Sequence, residues 1–279
     1  LKTRITVLCD NIVGLKSNLL GEHGLAILIE RGEESYLFDT GQGQALFHNA
    51  ATLGKDLRKV KKIFLSHGHY DHTGGLEKVL ALKGERDIWV HPHAFLPRFS
   101  IEKGDETKIR NIGMRYSRIQ LEEMGGRFHF INSFSEIEEG IYLTGEIPRI
   151  NSFEKVDTDL KVETEEMLVQ DDCRDDLSLV IDSPPGLIIL LGCAHAGIVN
   201  TLTYIQEKMG ARKIFAIIGG THLDSGDEIQ LRETLQYLKD LSFEKFGVSH
   251  CTGLKATNYL MNHLKERLFI AHTGIVLEI

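Results

Sequence analysis

No apolar run in the 279 residues approaches the ~20 needed to cross a bilayer, which argues against a helical membrane protein. The opening LKTRITVLCDN turns polar after one short strand-like run and has no hydrophobic stretch with a cleavage site, so no secretory leader is expected. Leu1 in place of methionine implies trimming or an incomplete start. Cysteine is sparse. Cys9, Cys173, Cys193 and Cys251 form no CxxC pair and no framework spacing, and they read as reduced thiols in a cytoplasmic protein. Basic residues are also outnumbered, 32 against 40 acidic. The net charge of −8 repels polyphosphate backbones and disfavours nucleic acid as a partner. No repeat of 20–50 residues is visible, so a solenoid is not expected.

What remains is the composition of an ordinary globular protein, with 42% apolar and 26% charged residues, long enough to bury a large core. A single domain over 1–279 is expected. Thr3–Cys9, Leu25–Glu30 and Ser35–Asp39 read as a strand meander. Ala45–Leu53 and Gly75–Leu82 have helical spacing, with strands at Ile63–Ser66 and Asp87–Val90. From Phe95 to Glu139 the pattern weakens into mixed charge with a helix at Met114–Met124, and an insertion or lid is expected there. Glu154–Asp176 is acidic and hard to assign. Leu177–Asp182 and Gly186–Leu191 form a hairpin, followed by α/β alternation from helix Ile198–Met209 to the C-terminus.

The unusual count is 13 histidines. His67-Gly68-His69-Tyr70-Asp71-His72 follows a buried strand, on the loop before a helix expected near Gly74-Gly75. His67 and His69, two apart on extended chain, project to one side. Asp71 and His72 approach the same point from the turn. Imidazole nitrogen and carboxylate oxygen suit Zn, Fe or Mn, and a histidine-rich set without thiolates suits a catalytic rather than a structural metal.

This HxHxDH motif, preceded by Phe38-Asp39-Thr40-Gly41, resembles the metallo-β-lactamase superfamily over nearly the whole chain. The resemblance implies an α/β fold, an αββα sandwich of two mixed sheets flanked by helices, with one or two divalent transition metals at its edge. It implies that His67 and His69 bind one metal and Asp71 and His72 the other, that Asp39 supports the ligands from behind, and that a water or hydroxide between the metals attacks the substrate. The superfamily's usual GHTxGH histidine is missing before Leu177. His195, in Gly192-Cys193-Ala194-His195, is the best replacement, with helix capping or anion binding as its alternative. Cys193 stands roughly where a ligand aspartate is missing. His250, in Ser249-His250-Cys251-Thr252-Gly253, resembles the last histidine ligand. His222 could be a ligand, a general acid or a substrate clamp.

His91 and His93 read as a structural turn, and His23, His48, His129, His263 and His272 as isolated surface or packing residues. Cys251 reads as a buried thiol. The GCAHAGIVN, GGTHL and SHCTG segments resemble a branch of β-lactamase superfamily II hydrolases. That branch includes archaeal proteins named as synthases of a pterin-containing ribosyl phosphate, which is a substrate hint. The expected function is hydrolysis of an ester, lactone or phosphate ester of a small-molecule substrate, with no membrane partner. An iron-dependent oxidoreductase and a non-catalytic metal-containing binding protein are the alternatives. Arg98, Lys103, Lys108, Arg110, Arg115 and Arg118 give the weak-patterned stretch a basic surplus that could draw an anionic substrate.

Overall fold

A computed structural model describes residues 2–15, 17–82, 84–102, 105–165 and 167–279, and the backbone alone of Glu106. Lys103 therefore lies outside the described residues. Among them, no helix is long and apolar enough to cross a membrane.

Two seven-stranded sheets face each other. The first runs, in spatial order, Val276–Glu278, Thr3–Cys9, Ala26–Arg31, Glu34–Phe38, Val60–Phe64, Arg86–Val90 and Gly126–Phe130. It is antiparallel up to Glu34–Phe38 and parallel beyond it. The second runs Leu268–Ile270, Phe243–Val248, Ile214–Gly219, Leu187–Leu191, Leu179–Ile181, Ile141–Leu143 and Ser135–Glu138, parallel first and then antiparallel. Each parallel part needs crossover connections, and helices supply most of them on the outer faces.

The strand sequences explain the layering. In Leu187–Leu191 every residue is buried, yet alternate side chains go to different cores. Ile188 and Leu190 meet Ile5, Ile27, Phe38 and Phe64 between the sheets. Leu187, Ile189 and Leu191 pack outward against Leu202, Leu235 and Leu260 of helices Ile198–Met209, Glu228–Asp240 and Leu254–Leu264. On the other side, Leu28, Leu37 and Ile63 turn toward Leu46 of helix Ala45–Thr52 and Val79 of helix Leu76–Leu80. The result is the αββα order implied by the resemblance.

The Phe95–Glu139 stretch is not one insertion. Gly126–Phe130 and Ser135–Glu138 are edge strands of the two main sheets, so they belong to the framework. Arg98–Glu102 and Asp105–Asn111 instead join Leu160–Thr164 and Met167–Gln170 in a separate four-stranded sheet. That pairing also resolves the acidic segment that sequence left unassigned. The helix expected at Met114–Met124 is shorter, Arg118–Glu123, because the capping box of Ser117 and Gln120 starts it there.

Candidate metal centre

Strand Val60–Phe64 delivers the HxHxDH segment to one edge of the sandwich. His69 is still extended; the helix expected near Gly74-Gly75 is present at Leu76–Leu80 with Gly75 as its N-cap, and a one-turn helix, Tyr70–Thr73, precedes it. Asp71 and His72 lie on that turn. Gly74 and Gly75 are also demanded by close packing: a Cβ on Gly75 would come within 2.3 Å of the Thr40 carbonyl oxygen.

Two groups of donors converge. His67 Nε2 lies 3.0 Å from His69 Nδ1, and the His195 ring is 4.9 Å from both of their rings. His72 Nε2 lies 3.2 Å from His250 Nε2, and Asp71 Oδ2 is 3.2 Å from His250 Nε2. All six residues are buried. The structure thus brings together every N/O ligand that sequence nominated, drawn from loops of both sheets.

The opposite ring nitrogens of His72, His67 and His250 are occupied. His72 Nδ1 donates to Asp39 Oδ2 at 2.7 Å, His67 Nδ1 meets Ser66 Oγ at 2.9 Å, and His250 Nδ1 meets Asn11 Oδ1 at 3.0 Å. Asp39 also accepts from Ser66 N and Oγ. The other ring nitrogens of those three histidines turn toward the centre, and buried His69 Nε2 and His195 Nε2 have no hydrogen-bond partner among the described residues. Nitrogen donors gathered around a common point, with their far sides held by carboxylate, hydroxyl and amide, fit a divalent transition metal.

Charge follows the same geometry. Burial lowers the pKa of His69 to about 3, assisted by the Arg98 cation, and burial also keeps His195 neutral. For His72, burial is opposed and overcome by Asp39 and Asp71, which raise its pKa to about 9. Burial likewise opposes ionisation of Asp71, but His72 and His250 hold its carboxyl far below the ordinary range.

His222 and Cys193 complete the rim. Cys193 Sγ is 3.2 Å from His72 Nε2. The His222 ring is 4.3 Å from that of His195, and its Nε2 is 3.3 Å from Asp157 Oδ2. Against the cost of burial, Asp157 and Cys251 raise the pKa of His222 to about 10. Asp39, His222 and His250 all have positive φ, 59°, 51° and 50°. For non-glycine residues this is strained backbone, of the kind that collects at functional sites.

Several residues escaped the sequence reading. His23, taken as isolated, has Nδ1 3.7 Å from Asp71 Oδ2, and nothing in its surroundings in the chain signals this. Asp10 follows a strand, a readable sign, and accepts from His250 N at 2.7 Å. Arg98, counted in the basic surplus, is in fact buried and bonds Asp171 and Asp175 at 2.7 and 2.6 Å. Asp175 in turn accepts from Gly68 N at 2.7 Å, between the two metal-loop histidines. A Cβ on Gly68 would come within 2.1 Å of the Ala94 carbonyl oxygen. Arg118 pairs with Glu122 and Lys108 with Glu102, whereas Arg110 lies over the ring of Tyr70, next to His69 and Asp71. His91 accepts from His93 N, as the structural-turn reading expects.

Fold and site together define a metallo-β-lactamase-type protein. The family model for the metallo-β-lactamase superfamily matches residues 20–192, and the chain belongs to that superfamily. It is 32% identical over 284 aligned positions to the Methanocaldococcus jannaschii 7,8-dihydropterin-6-methyl-4-(β-D-ribofuranosyl)-aminobenzene-5′-phosphate synthase, covering 99% of this chain and 96% of that one. A solved structure described as Tm1679, a metal-dependent hydrolase of the β-lactamase superfamily, is 28% identical with a TM-score of 0.85, covering 99% of both chains. Zn(2+)-bound PqqB from Methylobacterium extorquens shares the fold at 11% identity and a TM-score of 0.56, covering 99% of this chain and all of that one.

Proposed function

We propose that this chain is a metal-dependent hydrolase acting on an ester, lactone or phosphate-ester bond of a small, anionic substrate. The observation that carries the reading is the convergence of His67, His69 and His195 with Asp71, His72 and His250. The first three would hold one divalent ion and the second three another. Zinc is the first choice, with iron or manganese as alternatives. When bound, such ions lower the pKa of water toward ~7 and polarise the scissile oxygen.

The chain's own residues supply the rest. Asp39 fixes the ring and tautomer of His72 through their 2.7 Å contact. Asp71, kept ionised by His72 and His250, accepts a hydrogen bond from the attacking water. His222, held protonated beside Asp157, delivers a proton to the departing oxygen. A cavity of about 660 Å³ opens beside His23, His222 and His250. Its walls include Ile12, Leu254 and Ile270; Lys255 and Asp224 there carry opposite charges, and protonated His222 adds a positive one. This combination suits a small organic anion better than a polymer.

A second reading is favoured by the M. jannaschii relative, whose name is a synthase of a pterin-containing ribosyl phosphate. In it the same residues serve the synthesis of such a compound. Both readings are tested by reconstituting metal-free protein with Zn, Mn or Fe(II). It is then assayed on esters, lactones, phosphomonoesters and phosphodiesters, and separately for synthase activity. Metal-dependent hydrolysis of one class is expected. Metal-loaded protein that hydrolyses none overturns the hydrolase, and turnover in the synthase assay alone selects the second reading.

A further inference from the structure

We infer that Cys251 and Cys193 form a redox-modification site: a small peroxide entering the cavity joins them in a disulfide that closes the metal position at Asp71, His72 and His250. The closure rests on the metal-dependent reading above; the thiol chemistry does not.

The two thiols come from strands that are not neighbours. Cys193 follows strand Leu187–Leu191 and Cys251 follows strand Phe243–Val248, with Ile214–Gly219 between them in the sheet. Gly220, just past the middle strand, lets them meet over it. A Cβ there would lie 2.6 Å from Cys251 Sγ and 3.4 Å from Cys193 Cα. The donor atoms of Cys193, Cys251 and His250 all lie within 4.8 Å of one another. Cys251 Sγ also reaches the Cys193 carbonyl oxygen at 3.5 Å. Both residues sit past strand ends and near glycines, Gly192 before Cys193 and Gly253 two places after Cys251. Closing the sulfurs to the ~2.0 Å of a disulfide therefore bends loops and leaves the strands in place.

Access separates this pair from the other thiols. Cys9 and Cys173 are 0% and 4% exposed, and neither lines the cavity of about 660 Å³. Cys251 is partly exposed and lines it beside His23, His222 and His250. The His222 backbone N–H donates to the Cys251 sulfur at 3.2 Å. Cys193, 3% exposed, lies behind Cys251 and reacts second.

The Cys251 sulfur attacks the peroxide O–O bond, giving a sulfenic acid and releasing one water. The Cys193 sulfur then displaces the sulfenic hydroxyl, which leaves with the Cys193 proton as a second water. Two thiols are oxidised, one peroxide is reduced, and a dithiol reverses the bond by exchange.

The product lies where donors converge. Cys193 Sγ is 3.2 Å from His72 Nε2, which is itself 3.2 Å from His250 Nε2. A disulfide beside those two nitrogens takes the space between them and has no proton to exchange for a metal ion.

The test treats the reduced full chain with hydrogen peroxide, blocks remaining thiols with iodoacetamide in denaturant and maps the peptides by mass spectrometry. Zinc uptake is measured in parallel. A peptide pair joined through Cys193 and Cys251 is expected, with Cys9 and Cys173 alkylated, and dithiothreitol should separate the pair. The oxidised protein should take up less zinc than the reduced one and recover after dithiothreitol. In Cys193→Ser, Cys251 should stop at the sulfenic acid and be trapped by dimedone, whereas Cys251→Ser should form no cross-link. Should either variant fail to fold, the map of the parent still decides. Both thiols still alkylated after peroxide, or a disulfide through Cys9 or Cys173 instead, overturns the site and leaves the metal-dependent reading intact. A Cys193–Cys251 disulfide with undiminished zinc uptake overturns the closure. Reduced protein that takes up no zinc overturns the metal-dependent reading and the closure with it, while the peptide map still decides the thiol pair.

Discussion

Asp39 and His72 meet at 2.7 Å in the buried floor of the site, and the same carboxylate oxygen takes the Ser66 hydroxyl. One residue from the end of strand Glu34–Phe38 thereby orients His72, on the crossover that follows strand Val60–Phe64. In Asp39→Asn the side chain keeps its shape and tolerates the positive φ, but its amide cannot match the carboxylate as acceptor. Metal affinity should fall by about 10–100-fold with the fold retained. Competition against a calibrated chelator measures this, and an unchanged affinity would remove Asp39 from the support of the site.

Asp71→Asn separates metal holding from folding. The amide is isosteric and uncharged, so circular dichroism should be unchanged while one metal position weakens and hydrolysis falls. Loss of fold together with metal would mark the centre as structural, as in small zinc domains.

The buried cation Arg98 faces two carboxylates, Asp171 and Asp175, and through Asp175 reaches Gly68 N. In Arg98→Met both carboxylates are left buried without their partner. Destabilisation of about 3–5 kcal/mol is expected by denaturant titration. Because the metal loop hangs on Asp175, the variant should also bind metal more weakly. A variant as stable as the parent would show that the two ion pairs of Arg98 contribute nothing.

These contacts mark how far the sequence could be read. HxHxDH was legible because its donors are local, and Leu187–Leu191 because a short apolar run just after the Ser183-Pro184-Pro185 turn suits the second strand of a hairpin. Arg98 was misread as surface charge, since its partners Asp171 and Asp175 are more than seventy positions away and only the small sheet joins them. His23 approaches Asp71 through the packing of two loops, for which no local pattern exists. Phe95–Glu139 looked like one excursion because two of its strands are edge strands with mixed burial, 126–130 and 135–138, and so lack a clean apolar alternation.

Substrate charge is tested at Arg110, whose guanidinium stands 5.8 Å from the Tyr70 ring, and not at Arg118, which is paired with Glu122. Arg110→Gln should raise KM for an anionic substrate, more at low salt than at high, with metal content fixed. Arg118→Gln should leave KM unchanged. Equal effects of the two would indicate a general surface field.

Acid sensitivity of the metal-free protein follows from His91, where burial and then His93 lower the pKa from 6.5 to about 4. The unfolded chain takes up the proton first, so His91's contribution is full above pH ~6.5 and is lost as pH falls toward 4. His91→Asn keeps an acceptor for His93 N but does not titrate. Its melting temperature should therefore fall less than the parent's between pH 7 and 4.5. Parallel curves would contradict the assignment.

The most direct test of a metal-dependent enzyme is elemental analysis of the full chain purified without chelators or nickel affinity resin. About one to two equivalents of transition metal per chain are expected, zinc foremost, and replacing both His67 and His72 should abolish them. Protein that emerges metal-free, and that no divalent ion then binds tightly, would contradict the metal centre and the hydrolase built on it.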